Sequence, residues 1–269
     1  MRRSASLADA LVLAGGRPDP DLGGGKLPKA FVSLGERSMV EYVLAALRAT
    51  PRIDRIALVG PLPLPPAVAA GVDVAVPARG EMLDNLAAGL ASLGSEAPVL
   101  ALAADIPLLT AHAVGAFLDA ASVLDVDIAY GIVPRDDMVQ EFPGVRKTFV
   151  RLRDGVFTGG SLVWIRPQAF VRAHDAIARA LQARKSPLAL ARLLGPGVIL
   201  GLLAGSLGIA DLEHRVAVLA GIRARAVICH HPEIGLDVDH PETLAVVRNR
   251  LSRGVRASMN GRTRELQSR

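Results

Sequence analysis

Short apolar runs alternate along this chain with stretches whose apolar residues recur every three or four positions. The runs Ala10–Ala14, Ile53–Gly60, Val72–Val76, Val99–Ala104 and Asp127–Val133 predict strands. Met39–Ala49, Leu83–Leu93 and Ala113–Leu124 predict helices among them. Strands with almost no polar position are covered on both faces, as in parallel sheets. Strand-then-helix alternation predicts βαβ units, so the fold class is α/β: a mostly parallel, Rossmann-like central sheet flanked by helices.

The proline-rich Pro61–Pro66 predicts an extended loop. After residue 133 the texture changes. Pro134–Phe157 is charged and irregular, the apolar Ser161–Ile165 follows Thr158-Gly159-Gly160, and Gln168–Gly195 has helical texture. Ala226–Cys229 predicts a late strand and Glu242–Leu251 a closing helix. Val198–Ala210 is the most apolar stretch. It is too short for a bilayer and contains three glycines, so it reads as buried helix or loop. Residues 1–251 are read as one domain, with 134–225 a subregion of it and 252–269 a basic, disordered tail.

Composition sharpens this picture. Hydrophobic residues are 51% of the chain but aromatics only 3%, so the core is built from Ala, Val, Leu and Ile. The net charge of +5 sits at the ends: Ser252–Arg269 holds five arginines against Glu265, Arg2 and Arg3 add two, and the body between is −1. Without aromatic interleaving or a recognition motif, this charge does not predict nucleic-acid binding. The lone Cys229 forbids an internal disulfide and fits a reducing cytoplasm. Arg2 and Arg3 precede an apolar run, but it runs into Gly15-Gly16 without a cleavage-type end, so no signal peptide and no membrane anchor are expected.

Three places carry chemistry. Leu13-Ala14-Gly15-Gly16 ends the first strand on bare backbone and is either a phosphate-binding turn or merely a tight one. The loop beyond it carries Arg17 and Gly23-Gly24-Gly25, then Lys26 and Lys29, either charge beside a backbone nest or solvated surface. Asp105 ends the strand Val99–Ala104, where open α/β sheets hold ligands. It reads as a Mg²⁺ ligand or a helix cap, with Thr110 the better cap. Asp237 and Asp239 share one face of an extended segment before His240-Pro241 starts a helix; one can cap while the other binds metal. The basic run Arg146, Lys147, Arg151 and Arg153 is either an anchor for an anionic acceptor or a solvated strand face. Cys229-His230-His231 lacks zinc spacing, His112, His174 and His214 read as isolated surface residues, and Trp164 as core.

Together the segments LAGG, PKAFVSLGERSMVEYVLAAL, ALAADIPLLT and GLDVDHPETL resemble the nucleotidyltransferases of the nucleotide-diphospho-sugar transferase fold, within them the MobA-like enzymes. The likeness runs from residue 10 to about 250. It implies that an NMP passes from an NTP to a phosphorylated small-molecule acceptor, with Mg²⁺ and release of pyrophosphate. It places Gly15 and Gly16 under the nucleotide, Lys29 on the phosphates, Asn85 near the base, and Asp105 with Asp239 (Asp237 in reserve) on the metal. Thr158, Gly159, Gly160 and Ser161 resemble the acceptor-facing Thr-Gly-Gly-Asn. The first loop departs from the family's compact Gly-Thr-Arg-Met form, and Arg17 and Lys26 are its cations. Two other readings are a sugar-1-phosphate nucleotidyltransferase and a non-catalytic nucleotide-binding protein on the same fold. A dinucleotide-dependent oxidoreductase is disfavoured, because Gly15-Gly16-Arg17-Pro18 is no Gly-x-Gly-x-x-Gly fingerprint.

Overall fold

The structure, a computed structural model, describes residues 7–23, 25–183, 192–193 and 195–253. Strands β1 (Ala8–Leu13), β2 (Ile53–Gly60), β3 (Val74–Pro77), β4 (Val99–Ala103), β5 (Ile128–Pro134), β6 (Val150–Leu152), β7 (Gly155–Ile165) and β8 (Ala224–Ile228) form one sheet. Its order is β3-β2-β1-β4-β7-β5-β8, with β6 paired to β7. The β1, β2, β3 and β4 pairings are parallel, as is β5 with β8, while β7 lies antiparallel to β4, β5 and β6. Seven strands therefore point one way and β7 alone runs back.

Helices cover both faces: α1 (Met39–Arg48), α2 (Pro66–Ala69), α3 (Met82–Leu93), α4 (Ala111–Ser122), α5 (Arg135–Glu141), α6 (Pro167–Ala183), α7 (Pro196–Leu203), α8 (Ile209–Ala220) and α9 (241–253). The two-residue repeat of β1 divides the core. Ala10 and Val12 face the side packed by α1, α4 and α9, whereas Leu11 faces α3 and α6. Helix α3 approaches so closely that a Cβ on Gly89 would lie 2.3 Å from Leu11 Cδ1 and 3.0 Å from Val59 Cγ2. At the edge where the parallel strands begin, acids are tied down by arginine. Asp9 takes Arg55 Nη2 at 2.6 Å, Asp73 takes Arg48 Nη2 at 2.8 Å, and Asp127 accepts from the Arg223 amide at 2.8 Å.

The predicted strands and early helices are all present, each end within two residues of its expected place. Four expectations are corrected. Pro66 opens the one-turn α2, since proline at a first helical position gives up only an amide that lacks a partner anyway. The irregular region holds α5, β6 and the start of the 11-residue β7. The apolar Val198–Ala210 is buried only in part: Leu207 joins a small core cluster, but α7 leaves Leu200 65% and Leu203 80% exposed. Helix α9 runs to residue 253, past the predicted boundary. The predicted helical texture matches α6, but residues 184–191 and 194 lie outside the described residues, as do Arg2, Arg3, Gly24 and the tail from 254. Among the described residues no helix is long and apolar enough to cross a membrane.

Two glycine substitutions test the packing in opposite directions. Gly89→Val is expected to destabilise the chain by about 2–3 kcal/mol through overpacking against Leu11. Gly115→Ala, in α4 with open space around it, is expected to stabilise by up to about 1 kcal/mol. Urea denaturation of both variants reads the two signs.

Candidate active site

The first strand ends in a turn that only glycine fits. Gly16 has φ +121°, a left-handed conformation, and a Cβ on Gly15 would sit 3.0 Å from Asn85 Nδ2 and 3.1 Å from Ala78 Cβ. Asn85 is buried in α3, and its Oδ1 accepts from the Arg79 amide at 2.5 Å. It therefore braces the loop opposite Gly15. The loop that follows is anchored by buried Leu22 and closed by a bridge between Pro18 and Pro28. Arg17 and Lys26 are exposed and make no ion pair among the described residues.

Lys29 begins a single 3₁₀ turn whose next residues, Ala30 and Phe31, are buried. That anchorage aims its ammonium at two carboxylates: Nζ lies 2.6 Å from Asp105 Oδ2 and also contacts Asp239 Oδ1. Burial works to lower the Lys29 pKa, but Asp105 and Asp239 outweigh it and hold the ammonium above its ordinary value. Asp105 itself is not needed as a cap, because Thr110 Oγ1 accepts from the Ala113 amide at 3.1 Å and caps α4. Asp105 Oδ1 is buried with no hydrogen-bond partner among the described residues. One oxygen is thus paired with an ammonium while the other keeps open lone pairs.

The segment carrying Asp237 and Asp239 is extended but not a strand. Leu236 and Val238 are fully buried and the aspartates alternate with them onto the other side. The Val238 amide donates to Asp105 O at 2.9 Å, which ties this segment to the strand tip. Burial and the hydrogen bond with Asp239 raise the Asp237 pKa, against Lys147; Asp239 is lowered by the same hydrogen bond and by Lys29. Of the two aspartates, Asp237 is the first to take up a proton as pH falls.

Lys147 contacts Asp237 Oδ1, so the basic run is not simply a solvated strand face. Residues 145–149 are extended without strand pairing; Val145 and Phe149 pack on the core, and Lys147 between them is drawn inward against an acid. Arg146 joins it in lining a cavity of about 530 Å³ with Thr158, Gly159, Asp237, Asp239, His240 and Thr243. Arg151 and Arg153 lie elsewhere: Arg153 is near Asp211, and neither lines this cavity. Because β7 runs backward, its first half reaches the edge where β4 and β5 end, with Thr158 opposite Val133. Gly159 sits under Tyr130, whose hydroxyl would be 2.4 Å from a Cβ there, and a Cβ on Gly160 would be 2.9 Å from Gly131 O. Gly160 and Ser161 do not line the cavity. His240 and Thr243 are site residues that the sequence pattern does not single out; both sit beside the Asp239-His240-Pro241 helix start, which is the available signal.

The histidines separate. His230 pairs with Asp137 at 2.7 Å, and His231 meets His112 edge-on at 5.0 Å, so His112 is exposed but not isolated. His174 edges Phe170, His214 is exposed on α8, and Trp164 is buried in the core. Burial pushes the Cys229 thiol up to about 11, and no three-residue His, Cys, Asp or Glu metal cluster occurs among the described residues.

Comparison with known proteins agrees with this architecture. Residues 10–194 match the model of the MobA-like NTP transferase domain. A hypothetical transferase of Thermus thermophilus is 38% identical, with a TM-score of 0.80 over 88% of this chain and 99% of that one. The 2-C-methyl-D-erythritol 4-phosphate cytidylyltransferase of the same organism is 20% identical (TM-score 0.53, 92% of this chain, 99% of that one). A CMP:2-keto-3-deoxy-manno-octonic acid synthetase complexed with CTP is 16% identical (TM-score 0.55, 92% and 99%). These last two share the fold. No curated protein matches the chain. The chain belongs to the MobA-like NTP transferase domain family and is a nucleotidyltransferase-family enzyme.

Proposed function

We propose that the chain transfers an NMP from an NTP to a phosphorylated small-molecule acceptor and releases pyrophosphate. The observation that carries this is the convergence of Lys29, Asp105 and Asp239 at the strand tips, beside a polar cavity that also carries Arg146 and Lys147. The acceptor phosphate is already ionised near neutral pH, so its attack on the α-phosphate needs positioning and charge neutralisation rather than a strong base. On this reading Leu13 to Gly16 lay backbone beside the nucleotide, Asn85 holds the facing loop, and Lys29 offsets charge on the phosphates. Arg17 and Lys26 are free to meet the triphosphate from the first loop. Thr158 and Gly159 face the acceptor, with Gly160 and Ser161 shaping the strand behind them. Lys147 holds Asp237 and turns positive charge toward the acceptor phosphate.

The residues fit a Mg²⁺ ion. The unpartnered Asp105 Oδ1 is a hard oxygen donor with Asp239 close by, and this cation takes one or two carboxylates plus phosphate oxygens. When bound, it supplies Lewis-acid neutralisation of the phosphate oxygens. Asp105 and Asp239 would hold it, with Asp237 behind them.

Pyrophosphate release, measured for each NTP against a panel of phosphorylated acceptors, tests the reading. One NTP and one acceptor are expected to support turnover, and Asp105→Ala to lower it by about 10³-fold. Turnover that survives the substitution would sink the assignment.

The pH profile provides a second test. Asp237 titrates above the ordinary aspartate value, and protonating it removes the counter-ion of Lys147, so activity falls as pH falls through that raised pKa. Asp237→Asn is expected to be slower and to lack this acid limb. Lys29, raised above 10.5, adds no alkaline limb below that value. An acid limb unchanged in Asp237→Asn would detach it from this residue.

A further inference from the structure

The polar cavity at the strand tips continues into an apolar one. Val150, Thr158 and Gly159 wall both the polar cavity and a neighbouring space of about 310 Å³. That space lies over β5, β6, β7 and β8, under α8, and is bounded by Ile132, Leu152, Phe157, Leu212 and Val216. Its one acid, Glu213, is already spent: Oε1 accepts from the Ala226 amide at 2.8 Å and Oε2 from Arg225 Nη1 at 2.6 Å. Beyond Tyr130, Val216 and Ala224 the space opens into a larger apolar groove of about 680 Å³. A sugar or other hydroxylated body would find almost no free partner along this path, and burying unpaired polar groups is costly. The other end holds the exposed Arg146 and Lys147, which faces Asp237, with Asp239 beside them.

We infer that the acceptor is an amphiphilic phosphate ester: a phosphate head among Arg146, Lys147 and Thr158, and an apolar chain or ring system under α8. This rests on the transferase reading and names its acceptor class. Tyr130 stands at the junction, its hydroxyl over Gly159 and its ring against the apolar space. Tyr130 fills the space over Gly159, so a molecule that passes along Val150 and Thr158 goes from charged to apolar surroundings there, which selects against phosphates lacking an apolar body.

Calorimetric titration with Mg²⁺ and straight-chain alkyl phosphates from methyl to decyl, kept below micelle formation, tests this. Affinity is expected to rise about fourfold for each methylene that leaves water. Val216→Asp and Ala224→Phe, which charge or fill the passage, are expected to flatten the series while leaving methyl phosphate and Mg–NTP binding as in the wild type. A flat series in the wild type, or a steep one that ignores both variants, overturns the inference. So does a flat series accompanied by a dimer, seen by light scattering, that Val216→Asp splits, since the groove is then a subunit interface. Pyrophosphate release, followed in the same preparations, separates the two readings. Release with a hydrophilic phosphate and a flat series removes the amphiphile and keeps the transferase. A steep, variant-sensitive series with no release from any NTP does the reverse.

Discussion

Three aspartates, Asp105, Asp237 and Asp239, are gathered in one half-buried place, and their mutual repulsion is the constraint around which the site is built. Two lysines make the arrangement tolerable. Lys29 bridges Asp105 and Asp239, and Lys147 holds Asp237. Each lysine is delivered by a short segment whose neighbours are held by the core, the buried Ala30 and Phe31 in one case and the partly buried Val145 and Phe149 in the other. The acids at the opposite edge of the sheet differ in kind. Asp9, Asp73 and Asp127 are bound to guanidinium groups or backbone amides that lock helix and strand together. Arginine's planar fork suits fixed structural pairs, whereas an ammonium is a compact charge that can change partners. The lysines are at the strand tips, with Asp105, Asp237 and Asp239.

The reversed β7 is what brings Thr158 and Gly159 to this charge cluster. Had it run parallel, its first residues would lie at the far edge. Running back between β4 and β5, it sets Thr158 and Gly159 beside the tips where Asp105 and the Asp237 segment meet. Side-chain volume is removed where strands and rings come close, at Gly159 under Tyr130 and Gly160 against Gly131.

Much of this is legible in the sequence because buried parallel strands are nearly unbroken apolar runs, and β1, β2 and β4 are such runs. Asp105 is legible because it is the first charged residue after one of them. Asp237 and Asp239 are legible from alternation with Leu236 and Val238, although they lie beyond residue 194, where the family match ends. Lys147 stands out as part of a basic run, but its inward turn depends on an acid 90 residues away, which local pattern does not encode. Helix α7 defeats the pattern for a related reason. An apolar run with no polar interruption says nothing about whether neighbours cover it, and Leu200 and Leu203 are left to solvent. The direction of β7 is equally silent, since a strand reads the same either way.

The Lys29–Asp239 contact joins residues 210 apart, and the Val238 amide locks onto Asp105 from that same late segment. During synthesis the sheet strands β1 to β7 and the glycine turn leave the ribosome well before the last acids do. A nascent chain can therefore collapse around its apolar strands while its charge cluster is still incomplete. Only the arrival of the final stretch brings Asp237 and Asp239 to Lys147 and Lys29 and completes the charge cluster.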